Sequence, residues 1–499
     1  MIFWLILLGI SVYFFVVQRS FAPIKQAPLW LLYLVMLSPA LVLVALLLVE
    51  GNSQDGQLPV GLILSLFVIC PIIFIYWYLT QGGRMSGDAN HNDKESSAVR
   101  SSPADTSSKD NAVVRPIDRE EEARLHNCFP WSVYYLQNIE YRPQAMICRG
   151  QLRTQPTIAY DTVSENIRSK FGNRFLVVFQ EGLNGKPFFA LVPNPQAKEK
   201  SGSEASSPAA LHRPWFALGL LLITLCTTTL VGAFIAGLEE ESLQADYTLI
   251  LQGLPYALSL MAILGTHEMG HYLMARHHHI RTTLPYFIPV PFFLGTFGAF
   301  IQLRSPVPNR RALFDVGIAG PMAGLVVTLP LLIWGLANSE VVGLTDEASL
   351  LNFQALEPRA STLLLILSKL ALGAGLSAES AIQLHPVAVA GCLGLVVTAL
   401  NLMPVGQLDG GHIVHAMYGQ RMGAVIGQVA RLLVLMLAFI HREFLLWAIL
   451  LFFIPAVDEP ALNDVSELNN QRDGWGLAAL ALLVMIVLPA PQMLVEILL

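Results

Sequence analysis

His267-Glu268-Met269-Gly270-His271 is the part of this sequence best equipped for chemistry. Residues four apart on a helix lie one above the other, so the imidazoles of His267 and His271 can reach a single ion. Glu268 is offset around the helix, where it can meet a water at that ion rather than the ion itself. Such a trio suits metal-assisted hydrolysis, with Glu268 moving the proton of the attacking water. A polar patch on a surface helix is the plain alternative, but the pattern sits in an apolar run. Ionisable residues inside a membrane span cost about 2.5–3.5 kcal/mol or more each. Three of them within five positions need compensation, which a divalent cation supplies.

Catalytic zinc takes three protein ligands and keeps one open position. The third ligand should be a histidine or carboxylate at matching depth. Asp409 is the best candidate, in the run 401–411 that reads NLMPVGQLDGG. Pro404 must break or kink the helix, and Gly406, Gly410 and Gly411 loosen the backbone, so Asp409 is expected to project from an unwound end. Topology agrees: His267 lies nine residues before Arg276, near the basic end of its helix, and residues 386–405 run toward the same side if 361–375 does not cross. Asn401 is equally readable as a donor to a developing oxyanion and as an interhelical hydrogen bond. The ligand types point to Zn2+, although another divalent ion suits the same trio.

HEMGH on one apolar helix, with NLMPVGQLDGG on a later one, resembles the site-2 protease family of intramembrane metalloproteases. The family's paired motifs, HExxH and NxxPxxxLDG, imply His267, His271 and Asp409 as zinc ligands and Glu268 as the catalytic glutamate. Residues 317–324 (GIAGPMAG) are similar to the glycine-rich segment that the family carries between the two motifs. The resemblance spans roughly residues 210–465. His385-Pro386 and the region around 175–195 resemble the cyanobacterial and plastid branch, whose soluble part carries a GNLR signature. Gly150-Gln151-Leu152-Arg153 departs from that signature at its second position.

The elements that must hold these residues are those of a membrane protein. Of 499 residues, 54% are apolar and only 13% charged, against about a quarter charged in ordinary globular chains. The net charge of −6 argues against nucleic acid as a partner. The five cysteines form no CxxC pair, which leaves neither a disulfide framework nor a thiolate site. A hydrocarbon core of about 30 Å needs roughly 20 apolar residues per helix. Runs at 1–17, 28–49, 59–79, 214–237, 254–275, 312–337, 386–405, 424–440, 444–456 and 475–499 meet or approach that length. The expected fold class is an all-α polytopic membrane protein of about ten transmembrane helices with a small cytoplasmic α/β insert. The first run lacks a basic flank and a small-residue cleavage site, so it is expected to be a retained anchor. Residues 284–303 carry Pro285, Pro289, Pro291, Gly295 and Gly298, which predicts a re-entrant segment rather than a helix. Residues 361–375 contain Lys369 and are short, which predicts an interfacial helix. Basic loops after the first and third runs and around 276–311 are assigned to the cytoplasm, which puts the amino terminus outside.

The expected layout is therefore three helices in 1–80, a disordered linker at 81–116, a soluble module at 117–195, a linker at 196–213, a metalloprotease core at 214–465 and a last helix in 466–499. Within the module, 175–180 and 187–192 read as strands flanking a turn at 181–186, with a helix over 163–171 before them. His277, His278 and His279 read as a polar cap more readily than as an accessory metal site. His412 and His415 follow Asp409 and suit either orientation of that carboxylate or ordinary packing. Gly320 and Gly324 suit close helix packing, and Gly150–Arg153 a turn or a binding segment. Taken with the family, these readings imply a zinc endopeptidase acting on membrane proteins with a transmembrane helix, in a plasma or thylakoid-type membrane and in contact with the lipid bilayer. The rivals are a divalent-metal transporter, which should show polar residues on several helices and repeated halves, and a catalytically inactive scaffold, against which the intact Glu268 argues.

Overall fold

The computed structural model describes residues 117–142, 145–182, 185–194, 214–291, 294–343, 356–377, 380–441 and 444–499, all within the unit Asn111–Leu499. The expected helices at 1–17, 28–49 and 59–79 and the linkers at 81–116 and 196–213 lie outside the described residues.

The first elements are α1 (Arg119–His126), β1 (Tyr134–Arg142), β2 (Ala145–Leu152), α2 (Pro156–Phe171), β3 (Phe175–Glu181) and β4 (Pro187–Pro193). The four strands form an antiparallel sheet in the order β1-β2-β4-β3. Strands β3 and β4 fall on the two runs expected to flank the turn at 181–186. The helix starts seven residues earlier than expected, at Pro156, which suits a first helical position because its missing N–H is not needed there. Strands β1 and β2 were not anticipated, and Gly150–Leu152 forms the end of β2, with Arg153 just beyond it, rather than a turn. Gly150 sits at the bulge opposite Leu136, where a Cβ would overlap the carbonyl of Tyr135. The core of the sheet is aromatic: Phe179 stacks on Phe189 at 4.1 Å, and Tyr134 meets Phe189 edge-on at 5.0 Å. The Tyr134 hydroxyl donates within reach of the Cys148 and Pro187 carbonyls, which satisfies its buried polar end.

Next come α3 (Pro214–Ile235), α4 (Leu254–His277), the hairpin β5 (Tyr286–Pro289) and β6 (Thr296–Phe300), α5 (Arg310–Ala337), β7 (Glu340–Gly343), α6 (Thr362–Leu372), β8 (Ser380–Gln383), α7 (Pro386–Leu402), α8 (Asp409–Tyr418), α9 (Gln420–Ile440), α10 (Leu445–Phe453), α11 (Asn470–Val487) and α12 (Gln492–Leu498). Among the described residues, four helices are long and apolar enough to cross a membrane, or five if the bent α11–α12 pair is one span. This is a mostly helical membrane protein with a small sheet region. The run at 386–405 gives the 17-residue α7, and that at 444–456 gives only the nine-residue α10. The last run bends by 77° between α11 and α12, where Pro489 and Pro491 cannot continue a helix. The proline- and glycine-rich 284–303 forms the β5–β6 hairpin, not a helix.

Lipid tails are as apolar as leucine, so helix association in a membrane depends on close packing of small residues. Helix α5 accordingly packs against both α4 and α7 through glycines. Gly335 lies against the backbone of Ala388, and Gly391 of α7 lies against Leu332. At the start of α5 the Asn309 side chain accepts from the Ala312 amide, a cap contact of about 1 kcal/mol. Helix α7 starts on Pro386, with the His385 ring accepting from the Val387 amide, and ends just before Pro404.

Candidate metal centre

Helix α4 turns His267, Glu268 and His271 to its buried side, where each is less than a tenth exposed. They fit there because α5 presents almost no side chain opposite them. A Cβ on Gly320 would overlap the His271 ring, and one on Gly324 would lie 3.2 Å from the His267 Cβ. Gly270 of α4 is itself pressed against the Ala319 carbonyl. The glycine spacing read as helix packing thus also makes room for both imidazoles.

Asp409 arrives from the other side. After α7 the chain turns at 403–408 and starts α8 at Asp409, so the carboxylate stands in the first turn of a new helix rather than on the unwound end expected for it. Negative charge is favoured at that end of a helix. The turn is tight. Gly406 takes φ +51°, which glycine adopts without strain, and a Cβ on Gly410 would overlap the Leu402 carbonyl.

Asp409 Oδ2 lies 3.4 Å from His267 Nε2 and 3.2 Å from His271 Nε2. The two Nε2 atoms are 3.2 Å apart. Three donors about 2.0–2.1 Å from one tetrahedral ion stand about 3.3 Å from each other, so this triangle has the size of one face of a zinc tetrahedron. The tautomer agrees. His271 Nδ1 lies 2.8 Å from the Val316 carbonyl, to which it donates its proton, leaving the Nε2 lone pair for the shared centre. Lone pairs and a carboxylate oxygen at such distances repel unless a cation stands between them. Among the described residues these three form the one group of His, Cys, Asp and Glu with metal-binding geometry.

Two further groups reach this face. Asn401 Nδ2 is 3.2 Å from His267 Nε2, so the amide borders the triangle. Glu268 stands next to His267 on the buried side of α4, and β6 packs against that helix. His278 is drawn elsewhere. Its Nε2 lies 2.9 Å from Asp315 Oδ2, and Asp315 also takes a bidentate pair from Arg472, at 2.7 and 2.8 Å. The cap reading of that histidine agrees with this contact.

His412 does not turn to Asp409. Its Nδ1 lies 2.8 Å from Asp458 Oδ2, which also receives His415 Nδ1 at 2.7 Å, while His415 Nε2 lies 2.9 Å from Asp464 Oδ1. Sequence reasoning missed Asp458 and Asp464. The available signal was two acidic residues just after an apolar run, downstream of two unassigned histidines. Burial disfavours the charged imidazole of His415, but the hydrogen bonds to Asp458 and Asp464 outweigh it and push its pKa up to about 9. Burial likewise opposes ionised Asp458, yet His412 and His415 hold it down to about 2. His412 stands beside His415 as a like charge, and Arg310 Nε donates to the neighbouring Ala416 carbonyl at 2.8 Å. A raised histidine pKa contributes stability that is complete below the ordinary value of about 6.5 and disappears as pH rises through about 9. The Asp458 contribution is present above about 4 and is lost only as pH falls through about 2. Hydrogen-exchange protection of the Asp464 amide, corrected for intrinsic rate, is therefore expected to fall about tenfold or more between pH 6.5 and 9. His415→Gln should abolish that dependence.

Comparison with known proteins agrees with the geometry. Residues 255–441 match Peptidase family M50. Over 371 residues the chain is 29% identical to "Probable zinc metalloprotease EGY2, chloroplastic" of Oryza sativa subsp. indica, covering 73% of this chain and 65% of that one. The Arabidopsis thaliana protein of the same name is 27% identical over 370 residues, covering 73% and 63%. "Probable zinc metalloprotease EGY1, chloroplastic" of Arabidopsis thaliana is 31% identical over 259 residues, covering 52% and 47%. The chain thus spans just under two thirds of the length of the EGY2 proteins it matches. It carries a peptidase family M50 domain, the site-2 protease domain that its paired motifs resemble, and is homologous to the EGY zinc metalloproteases of plastids.

Proposed function

We propose that this protein is a zinc-dependent intramembrane endopeptidase that hydrolyses peptide bonds in or beside the transmembrane segments of other membrane proteins. The observation that carries the reading is the triangle of His267, His271 and Asp409 donors, 3.2–3.4 Å on a side, with Glu268 next to it on the same helix. His267, His271 and Asp409 hold the metal. Zinc, when bound, supplies a Lewis acid that makes hydroxide available near neutral pH. Glu268 takes one proton from the attacking water as its oxygen adds to the peptide carbonyl carbon. As the C–N bond breaks, Glu268 gives that proton to the leaving nitrogen, so water is consumed and a carboxyl and an amine remain. The Asn401 amide, which makes an interhelical contact of 3.2 Å to His267 Nε2, also suits donation to the oxyanion that develops on the carbonyl oxygen. Because a helical substrate has its carbonyls hydrogen-bonded, the target segment must unwind locally before these groups can reach it.

Several finer points belong to the same proposal. The layout is about ten helices, with a soluble module at 117–195, a protease core at 214–465 and the basic loops on the cytoplasmic or stromal side. The membrane is a plastid or other thylakoid-type membrane, in keeping with the chloroplastic relatives. A transporter is the weaker reading, since among the described residues one metal-binding group stands alone rather than in a series along the spans.

The test uses full-length protein in lipid vesicles with a model substrate containing one transmembrane helix. Cleavage should fall to background with a zinc chelator and return when zinc is restored. Cleavage that persists after complete zinc removal would overturn the proposal.

A further inference from the structure

Four titratable side chains outside the metal face, three of them buried and His412 half-buried, form one connected cluster. His412 and His415 stand on α8, and Asp458 and Asp464 come from the chain after α10. Asp458 is held in turn, with Oδ1 accepting from the Glu459 amide at 2.7 Å and its carbonyl accepting from Gln420 Nε2 at 2.8 Å. Helix α8 has only ten residues, and Asp409 opens it. His412 lies one turn after Asp409 on the same face, so whatever fixes His412 and His415 also fixes the rotation and advance of the helix that presents the Asp409 carboxylate.

The segment that supplies both aspartates is anchored to the soluble sheet. It lies parallel to the outer edge of β3: the Phe179 amide donates to the Leu462 carbonyl at 2.7 Å, and the Asp464 amide donates to the Phe179 carbonyl at 2.9 Å. Its other edge accepts nothing from β3 and faces the start of α5, where the Leu462 and Asn463 amides donate to the Val307 and Pro308 carbonyls at 2.9 and 3.0 Å. Val465 packs on the core of the sheet, and Ser466 Oγ is 3.1 Å from Thr157 Oγ on α2. Residues 458–466 therefore touch the soluble sheet, the entry to the glycine-lined helix α5 and the helix that carries Asp409.

We infer that Asp458 and Asp464 are positioning residues for the metal centre, acting on Asp409 through His412, His415 and α8, and that docking of 458–466 on the soluble sheet holds them in place. This rests on the reading of His267, His271 and Asp409 as zinc ligands. The chemistry is that of outer contacts at metal sites, whose loss costs about 10–100-fold in metal affinity. Here the contact operates at a distance, because the ligand's whole helix is what the carboxylates hold. A soluble module engaged by a partner or by part of a substrate would thereby change how firmly the centre is assembled.

The test measures zinc affinity of full-length protein by competition with a chromophoric chelator, which needs no cleavage assay. Asp458→Asn and Asp464→Asn remove the charges from α8. Val465→Asp loosens the segment from the sheet while leaving both carboxylates in place. Thermal unfolding of each variant is followed in parallel, since a role in stability alone would lower the melting temperature and leave the affinity of the folded protein unchanged. Zinc binding at least about 10-fold weaker is expected in Asp458→Asn and in Val465→Asp. If Asp458→Asn does not fold, Asp464→Asn takes its place in the comparison. Affinity within about twofold of wild type in the folded variants would overturn the inference. Wild-type protein that binds no zinc would instead overturn the reading of the three ligands on which it rests.

Discussion

Glu268→Gln is expected to keep its zinc and lose cleavage by about 10²–10⁴-fold, the range that a positioned proton carrier contributes. The substitution is nearly isosteric, so His267, His271 and Asp409 keep their triangle. What disappears is a group able to take a proton from water and return it to the amine. Single-turnover cleavage of a transmembrane substrate, with zinc content measured on the same sample, separates the two effects. Loss of zinc along with activity would make Glu268 part of the metal's support. Cleavage within tenfold of wild type would place the proton carrier elsewhere.

Gly320→Ala should remove the metal without touching a ligand. The added methyl would overlap the His271 ring, and α5 has no room to retreat, because the Ala319 carbonyl already lies against Gly270 of α4. His271 must therefore leave its rotamer, giving up both the bond to the Val316 carbonyl and its place in the triangle. Zinc affinity is expected to fall by at least about 100-fold, the upper end of what disturbed support of a ligand costs. The helix itself gains from alanine by roughly 0.5–1 kcal/mol, so an unfolded protein is not the expected reason. Gly324→Ala is the graded comparison: its methyl would stand 3.2 Å from the His267 Cβ, a contact that small shifts can relieve. Elemental analysis after gel filtration checks both, and full zinc occupancy in Gly320→Ala would contradict the packing argument.

Much of the centre was legible because it rests on short-range geometry. His267 and His271 share a face by helical spacing alone, and the need for a third ligand of the right type and depth led to Asp409. Asp409 still stands differently from the expectation. Glycines at 406, 410 and 411 read as looseness, whereas the structure uses them for close approach to the Pro455, Leu402 and Gly406 carbonyls. The same residue type serves both ends, and only the neighbours decide which.

The sheet shows a similar division. Strands β3 and β4 are short apolar runs around a clear turn, but β1, Tyr134–Arg142, mixes polar and apolar residues on both faces and carries a bulge, so its pattern was hidden. The cluster of His412, His415, Asp458 and Asp464 was out of reach for another reason. Its two halves are more than 40 residues apart, and an acidic residue after an apolar run is ordinarily solvated. In the run expected at 444–456, the helix ends early at Phe453 before Pro455, and the irregular stretch that follows carries the aspartates to α8.

The central claim is that two imidazoles of α4 and the first carboxylate of α8 share one zinc ion. X-ray absorption at the zinc edge of the purified wild-type protein tests it directly. The account predicts two histidine nitrogens at about 2.0–2.1 Å, with their outer-ring scattering, and oxygen at about 2.0–2.2 Å. A sulfur shell near about 2.3 Å, or a zinc environment without imidazole, would contradict it.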